Sequence, residues 1–70
     1  MPITALQKVR MLQGKRQIDV AKEIGVQQGT VSQWEVGNKT PRARMFKAVA
    51  KAYGCTVDEL LNYVSDTKVV

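Results

Sequence analysis

Histidine is absent from the 70 residues, and cysteine occurs once. Without histidine there is no His-based catalytic triad and no His-containing metal site, and a single thiolate cannot hold zinc. A phosphate-cradling glycine loop is missing as well. The acids stand singly on helix surfaces or, at Asp58-Glu59, in a helix first turn. No enzymatic activity, no metal and no cofactor are therefore expected. With Cys55 alone no intramolecular disulfide can form, which fits a reducing cytosol. Cys55 is expected as a small buried or half-buried hydrophobe rather than a reactive thiol. Long apolar runs are also lacking. No stretch approaches transmembrane length, and Met1-Pro2-Ile3-Thr4 has neither the charged start nor the apolar run of a signal peptide. The expectation is a soluble cytoplasmic protein that does not engage membranes.

What is present suits one small folded domain with no room for a second core or a ligand-sensing module. Hydrophobic content of 44% with 24% charged residues argues against global disorder. Strand-type alternation is scarce, so an all-α fold is expected, and neither an internal repeat nor a low-complexity segment is found. The net charge is +5, and its distribution says more than the total. Residues 1–16 carry four cations and no acid, whereas 17–37 carry one cation against three acids. Residues 38–51 carry five cations and no acid, and 52–70 again one cation against three acids. Positive charge thus brackets the centre of the chain.

That centre is Gln17–Gly37, QIDVAKEIGVQQGTVSQWEVG. Val20, Ala21 and Ile24 make one apolar stripe at helical period, and Val26, Val31 and Trp34 continue an apolar face beyond Gly25. Gln28, Gly29, Ser32 and Gln33 fall on the opposite face. The join is too short for antiparallel helices, so the two must cross steeply. Ala21 is small enough for close approach, and Gly25 can adopt the positive φ of the turn. The pattern is that of a helix-turn-helix.

Around it the spacing predicts three further helices, giving a compact five-helix bundle in which the second and third form the helix-turn-helix. Thr4 or Pro2 opens the first helix, which carries Leu6, Val9 and Leu12 inward and ends at Gly14 as a left-handed cap residue. The second begins at Gln17 with Arg16 in the N-cap slot, where arginine offers no acceptor and opposes the helix dipole. Either a phosphate bound there relieves both faults, or packing tolerates a poor cap. The third helix runs from about Gln27 to Glu35 or Val36, and Gly29 in its first turn costs about 1 kcal/mol of helix propensity relative to Ala. Thr40-Pro41 reads as an N-cap with proline at the first helical position. Phe46, Val49, Ala50 and Tyr53 form the stripe of the fourth helix, closed by Gly54. Thr56-Val57-Asp58-Glu59 is a capping box opening a fifth helix that buries Val57, Leu60 and Leu61. The domain is assigned to residues 1–62. Residues 63–70 are a tail that either frays or pairs Tyr63-Val64 and Val69-Val70 with a partner subunit.

The set Val20, Ala21, Ile24, Gly25, Val26, Val31 and Trp34, with Arg10, Trp34-Glu35-x-Gly37, Pro41 and Tyr53-Gly54-Cys55-Thr56-Val57-Asp58-Glu59-Leu60-Leu61, resembles the lambda-repressor-like helix-turn-helix family. The resemblance runs from about Leu6 to Leu61 and is similar to small phage repressors and Cro proteins. It implies a sequence-specific regulator of transcription, most simply a repressor, binding double-stranded DNA as a homodimer on a palindromic operator. No small-molecule ligand is expected, and the setting would be the nucleoid or a host cytoplasm. A helix in the major groove reads bases near its N-terminus, which implies base contacts from Gln27, Gln28, Gly29, Ser32 and Gln33. A glutamine amide matches adenine by donating to N7 and accepting from the N6 amino group. Gly29 departs from the side-chain-bearing residue usual at its slot, and either removes a base contact or lets the backbone come closer. Lys15, Arg16, Lys39, Thr40, Arg42 and Arg44 are the candidate phosphate set, and Gln17 matches a phosphate-holding position of the family. Arg10 and Glu35 match positions that the family pairs as a partly buried ion pair, the alternative being two independent surface charges. Two other functions compete. One is a protein-interaction module of the same fold, such as an antitoxin or a transcription-bridging factor. The other, a membrane-surface role for Lys39–Lys51, is weak because the apolar stripe of that segment is needed for the core.

Overall fold

A computed structural model describes residues 3–67 of the chain. It contains α1 (Ala5–Leu12), α2 (Gln17–Ile24), α3 (Gln28–Glu35), a 3₁₀ turn (Ala43–Met45), α4 (Phe46–Tyr53) and α5 (Val57–Thr67). Among these residues no strand occurs, and no helix is long and apolar enough to cross a membrane. Helix α2 packs on α3 and α4, α1 on α5 and α3, and α4 on α5. Their shared core is Leu6, Val20, Ala21, Val31, Trp34, Val49, Ala50, Ala52, Tyr53 and Leu60.

The helix ends follow local chemistry. Thr4 caps α1 with a full capping box: Gln7 N–H donates to Thr4 Oγ1 (3.3 Å), and Thr4 N–H donates to Gln7 Oε1 (3.1 Å). Thr56 and Glu59 repeat the device at α5, at 3.0 and 3.1 Å. Gly25 takes φ +89° and donates its N–H to the Ala21 carbonyl at 2.8 Å. This left-handed residue turns the chain from α2 into α3 at a point where any side chain would strain the backbone. Arg16 does stand at the N-cap of α2 without capping through its own side chain. The relief comes from the third helical residue. The Asp19 carboxylate accepts from the Arg16 backbone N–H at 2.9 Å and from its guanidinium at 3.1 and 3.2 Å. An acid in the first turn also suits the helix dipole.

Several expectations are corrected. Leu12 is 75% exposed. The inward stripe of α1 is Leu6, Val9 and Arg10, and Leu12 lies about 120° away from Leu6 around the helix. Gln13, exposed just beyond the helix, lies against Gly54, where a Cβ would come 2.7 Å from its Oε1. Thr40-Pro41 does not start a helix. Pro41 is buried, and the chain stays extended through Arg42 (φ −68°, ψ 149°). The first turn then closes from Met45 N–H to the Arg42 carbonyl at 2.8 Å. Val57 and Leu61 are 37% and 46% exposed. The inward stripe of α5 is Leu60, Tyr63, Val64 and Thr67, which leaves Leu61 beside it and Val57 at the helix end. Residues 63–67 are the last turns of α5, and Thr67 is buried with its Oγ1 accepting from Leu6 N–H at 3.1 Å. That bond satisfies one of the free N–H groups that every helix leaves in its first turn, and it ties the first turn of α1 to the last turn of α5. Pro2 as a helix start and Val69-Val70 as a pairing segment lie outside the described residues.

Candidate nucleic-acid interface

Helix α3 is seated by its inner face. Val31 and Trp34 lie in the core, and Glu35 is wholly buried at the end of the same face. A buried carboxylate is costly unless it is matched by charge and hydrogen bonds, and here three helices converge on it. Arg10 Nε of α1 donates to Oε2 at 2.8 Å, Tyr53 Oη of α4 donates to the same oxygen at 2.6 Å, and Gln17 Nε2 of α2 donates to Oε1 at 3.0 Å. Arg10 is itself held by donating from Nη1 to the Lys15 carbonyl at 2.9 Å. No buried side-chain polar atom among the described residues lacks a partner. Burial and the neighbouring carboxylate push the Tyr53 phenol well above its ordinary range.

The opposite face of α3 is polar and uncharged. Gln27, Gln28 and Gly29 are exposed, and Ser32 and Gln33 are half-buried. Gln27 stands at the N-cap without a side-chain cap bond. A Cβ at Gly29 would meet nothing within 4 Å, so neighbouring atoms do not demand glycine there. The helix ends in a left-handed turn at Gly37 (φ +83°), with Asn38 N–H on the Gln33 carbonyl at 3.1 Å and Gly37 N–H on the Trp34 carbonyl at 3.2 Å. This wraps the chain back over Gln33 and brings the Asn38 Nδ2 donor to Gln33 Oε1 at 3.1 Å. No expectation singled out Asn38. The cue was Gly37, whose left-handed turn sets the next residue beside the helix's last outward position.

The cations divide into two groups. Of the candidate phosphate cations, the two before α3, Lys15 and Arg16, are already engaged. Lys15 Nζ donates to the Ala52 carbonyl at 2.8 Å and pairs with Glu23 at 3.0 Å, and Arg16 pairs with Asp19 at 3.1 Å. Arg16 and its backbone hold the Asp19 carboxyl below the usual carboxylate range. Gln17, expected on a phosphate, turns its amide inward to Glu35 instead. Those after α3 have no such partners. Lys39, Thr40, Arg42 and Arg44 are exposed, and no side-chain hydrogen bond or ion pair engages them among the described residues. Lys47 and Lys51 share this state on the outer side of α4. Lys47 lies three residues after Arg44 and Lys51 four residues after Lys47, a spacing that marks one helix face. Elsewhere, burial pushes the half-buried, unpaired Cys55 thiol up. No group of three or more His, Cys, Asp or Glu able to hold a metal gathers among the described residues.

Residues 6–60 match the model of a helix-turn-helix family, which spans most of the chain. The fold is also that of the clp gene regulator ClgR from C. glutamicum, whose crystal structure superposes with a TM-score of 0.75 at 24% identity. That superposition covers 94% of this chain and 86% of the other. The chain belongs to the lambda-repressor-like helix-turn-helix family, as its resemblance implied. It is a DNA-binding regulator of transcription.

Proposed function

We propose that the chain is a repressor that reads the major groove of a palindromic operator with α3 and binds it as a homodimer in the cytoplasm. The observation that carries this reading is the division of labour around α3. Its outer face offers amides and a hydroxyl without charge, and the exposed cations that follow it pair with no carboxylate among the described residues. Base edges are read by neutral donors and acceptors, whereas phosphates are held by cations. Gln27, Gln28, Gly29, Ser32 and Gln33 are the readers. Lys39, Thr40, Arg42 and Arg44 are the holders, with smaller contributions from Lys15, Arg16 and the N-terminal turn of α2 at Gln17.

One recognition helix covers only about half a turn of DNA, and two-fold dimers overcome this by reading half-sites about one helical turn apart. The exposed Val57 and Leu61 on α5 support an apolar contact between copies there. Selection of bound sequences from a random duplex pool, followed by footprinting of the selected site, tests the proposal. The expected result is a palindrome protected over two half-sites. Protection of a single asymmetric half-site at stoichiometric protein overturns the dimer, and no duplex binding by the purified protein favours an interaction module.

A further inference from the structure

Resting on the proposal that α3 reads the groove, we infer that Val36 reads the 5-methyl group of a thymine, one or two base pairs from the pair that Gln33 contacts. Val36 follows the last residue of α3 but keeps its geometry, with φ −89°, ψ −4° and its N–H donating to the Ser32 carbonyl at 3.0 Å. At about 100° per residue it falls about 20° from Gly29, about 40° from Ser32 and about 60° from Gln33 around the helix, and about 160° from the buried Trp34. It therefore continues the outer face, about 4.5 Å along the axis beyond Gln33. Only then does Gly37, at φ +83°, turn the chain away.

The fold makes no use of an apolar side chain there. Val36 is 42% exposed, and it belongs neither to the core nor to the half-buried hydrophobics packed against it. Helical side chains lean toward the N-terminus of their helix, so its methyl groups lie over the turn of Ser32 and Gln33. Gly29 adds no side chain on the same line, so nothing there holds the helix away from the bases. A β-branched side chain in a helix keeps one dominant χ1 rotamer, and contact costs it little ordering. Valine can neither donate nor accept a hydrogen bond. Among the base edges of the major groove only thymine offers an apolar group, its 5-methyl. Cytosine or adenine would instead press an amino group against the valine, stripped of water and without a partner. The ligand is thus a methyl group on C5 of a pyrimidine. A rise of about 3.4 Å per base pair sets the distance from the pair that Gln33 contacts.

Deoxyuridine tests this at the level of one methyl group, because it differs from thymine in nothing else. Sites should first be selected from a random duplex pool with wild type, Gln28→Ala, Gln33→Ala and Val36→Ser, with circular dichroism confirming that each is folded. Wild type should select thymine at one position of each half-site, one or two base pairs from the position that Gln33→Ala relaxes. Val36→Ser should relax that thymine alone. Each thymine of the selected site is then replaced in turn by deoxyuridine. At the assigned position wild type should lose about fourfold in affinity for each half-site, the effect of one buried methyl group. Val36→Ser should bind the two duplexes equally. With 5-methylcytosine against cytosine there, wild type should favour the methylated base and Val36→Ser neither. If no thymine is selected there, or if every deoxyuridine costs wild type and Val36→Ser alike, Val36 reads no methyl group and the inference is overturned. Helix α3 remains the reader after that result if Gln28→Ala or Gln33→Ala relaxes a position. If wild type selects no sequence at all, α3 is not the reader and the inference falls with it.

Discussion

The inner face of α3 carries Val31, Trp34 and Glu35, all buried, with a hydrogen-bond partner at each carboxylate oxygen. The outer face of the same eight-residue helix carries Gln28, Gly29, Ser32 and Gln33, of which only Gln33 is engaged by another side chain among the described residues. One side is over-determined and the other nearly unconstrained. The difference teaches where each kind of specificity resides. The helix is aimed by contacts from α1, α2 and α4 that converge on Glu35, so its outward residues are released from structural duty. A side chain on the outer face can change without moving the helix, whereas one on the inner face cannot.

The largest effect expected from breaking that contrast is at Trp34, which is 4% exposed. Truncating a buried aromatic costs about 3–5 kcal/mol, comparable to the whole stability of a small domain. Trp34→Ala should be largely unfolded by circular dichroism at room temperature, and a well-folded variant would contradict the inner-face assignment. Next comes the ion pair. Arg10→Met leaves the Glu35 charge buried and should cost roughly 3–5 kcal/mol in denaturant unfolding, while replacing both partners costs much less than the sum of the singles. The exposed Lys22→Met should change stability by no more than about 0.5 kcal/mol. A double variant of Arg10 and Glu35 as unstable as the sum would mean the pair contributes no coupling.

A smaller effect is expected at Tyr53, whose hydroxyl bond to a charged group is worth about 1.5–3 kcal/mol. Its phenol is raised in the folded state, so folding favours the protonated form. That contribution is intact below the unfolded phenol's value of about 10 and is lost as the pH rises past it, by up to about 1.4 kcal/mol per pH unit. Denaturation midpoints measured between about pH 8 and pH 11 should fall more steeply in wild type than in Tyr53→Phe. Parallel profiles would show that the hydroxyl does not feel the carboxylate.

Much of this was legible in the residues. Thr4, Gly14, Gly25, Gly54 and the Thr56–Glu59 box mark helix ends because capping and left-handed turns are local chemistry, and the apolar stripes of α2, α3 and α4 fall where the period places them. What local pattern could not supply is competition for one interior. Leu12 and Leu61 are apolar enough for the core, yet Leu6 and Val9 in α1 and Leu60, Tyr63 and Val64 in α5 hold the inward angles. Thr40-Pro41 has the form of a helix start, but Pro41 is buried in the connection instead. The outer residues of α3 were legible as a polar face, and the pairing of Arg10 with Glu35 followed from family resemblance. The inward turn of Gln17 and the joining of Tyr53 to the same carboxylate were not legible, because they depend on three helices meeting at one point. The engagement of Lys15 and Arg16 was hidden for a related reason. A sequence shows charges but not which of them have already found a partner.

The account's central claim is that reading and holding are done by different residues, and binding isotherms on two duplexes across a salt series test it most directly. The comparison is wild type, Gln28→Ala and Arg42→Ala, each on the selected operator and on a random duplex. Gln28→Ala should lose about 1–3 kcal/mol on the operator and almost nothing on random DNA, with the salt slope unchanged. Arg42→Ala should weaken both duplexes alike and lower the slope by about one unit. If Gln28→Ala lost operator and random binding equally, α3 would not be the reader, and the division drawn between its two faces would have no functional meaning.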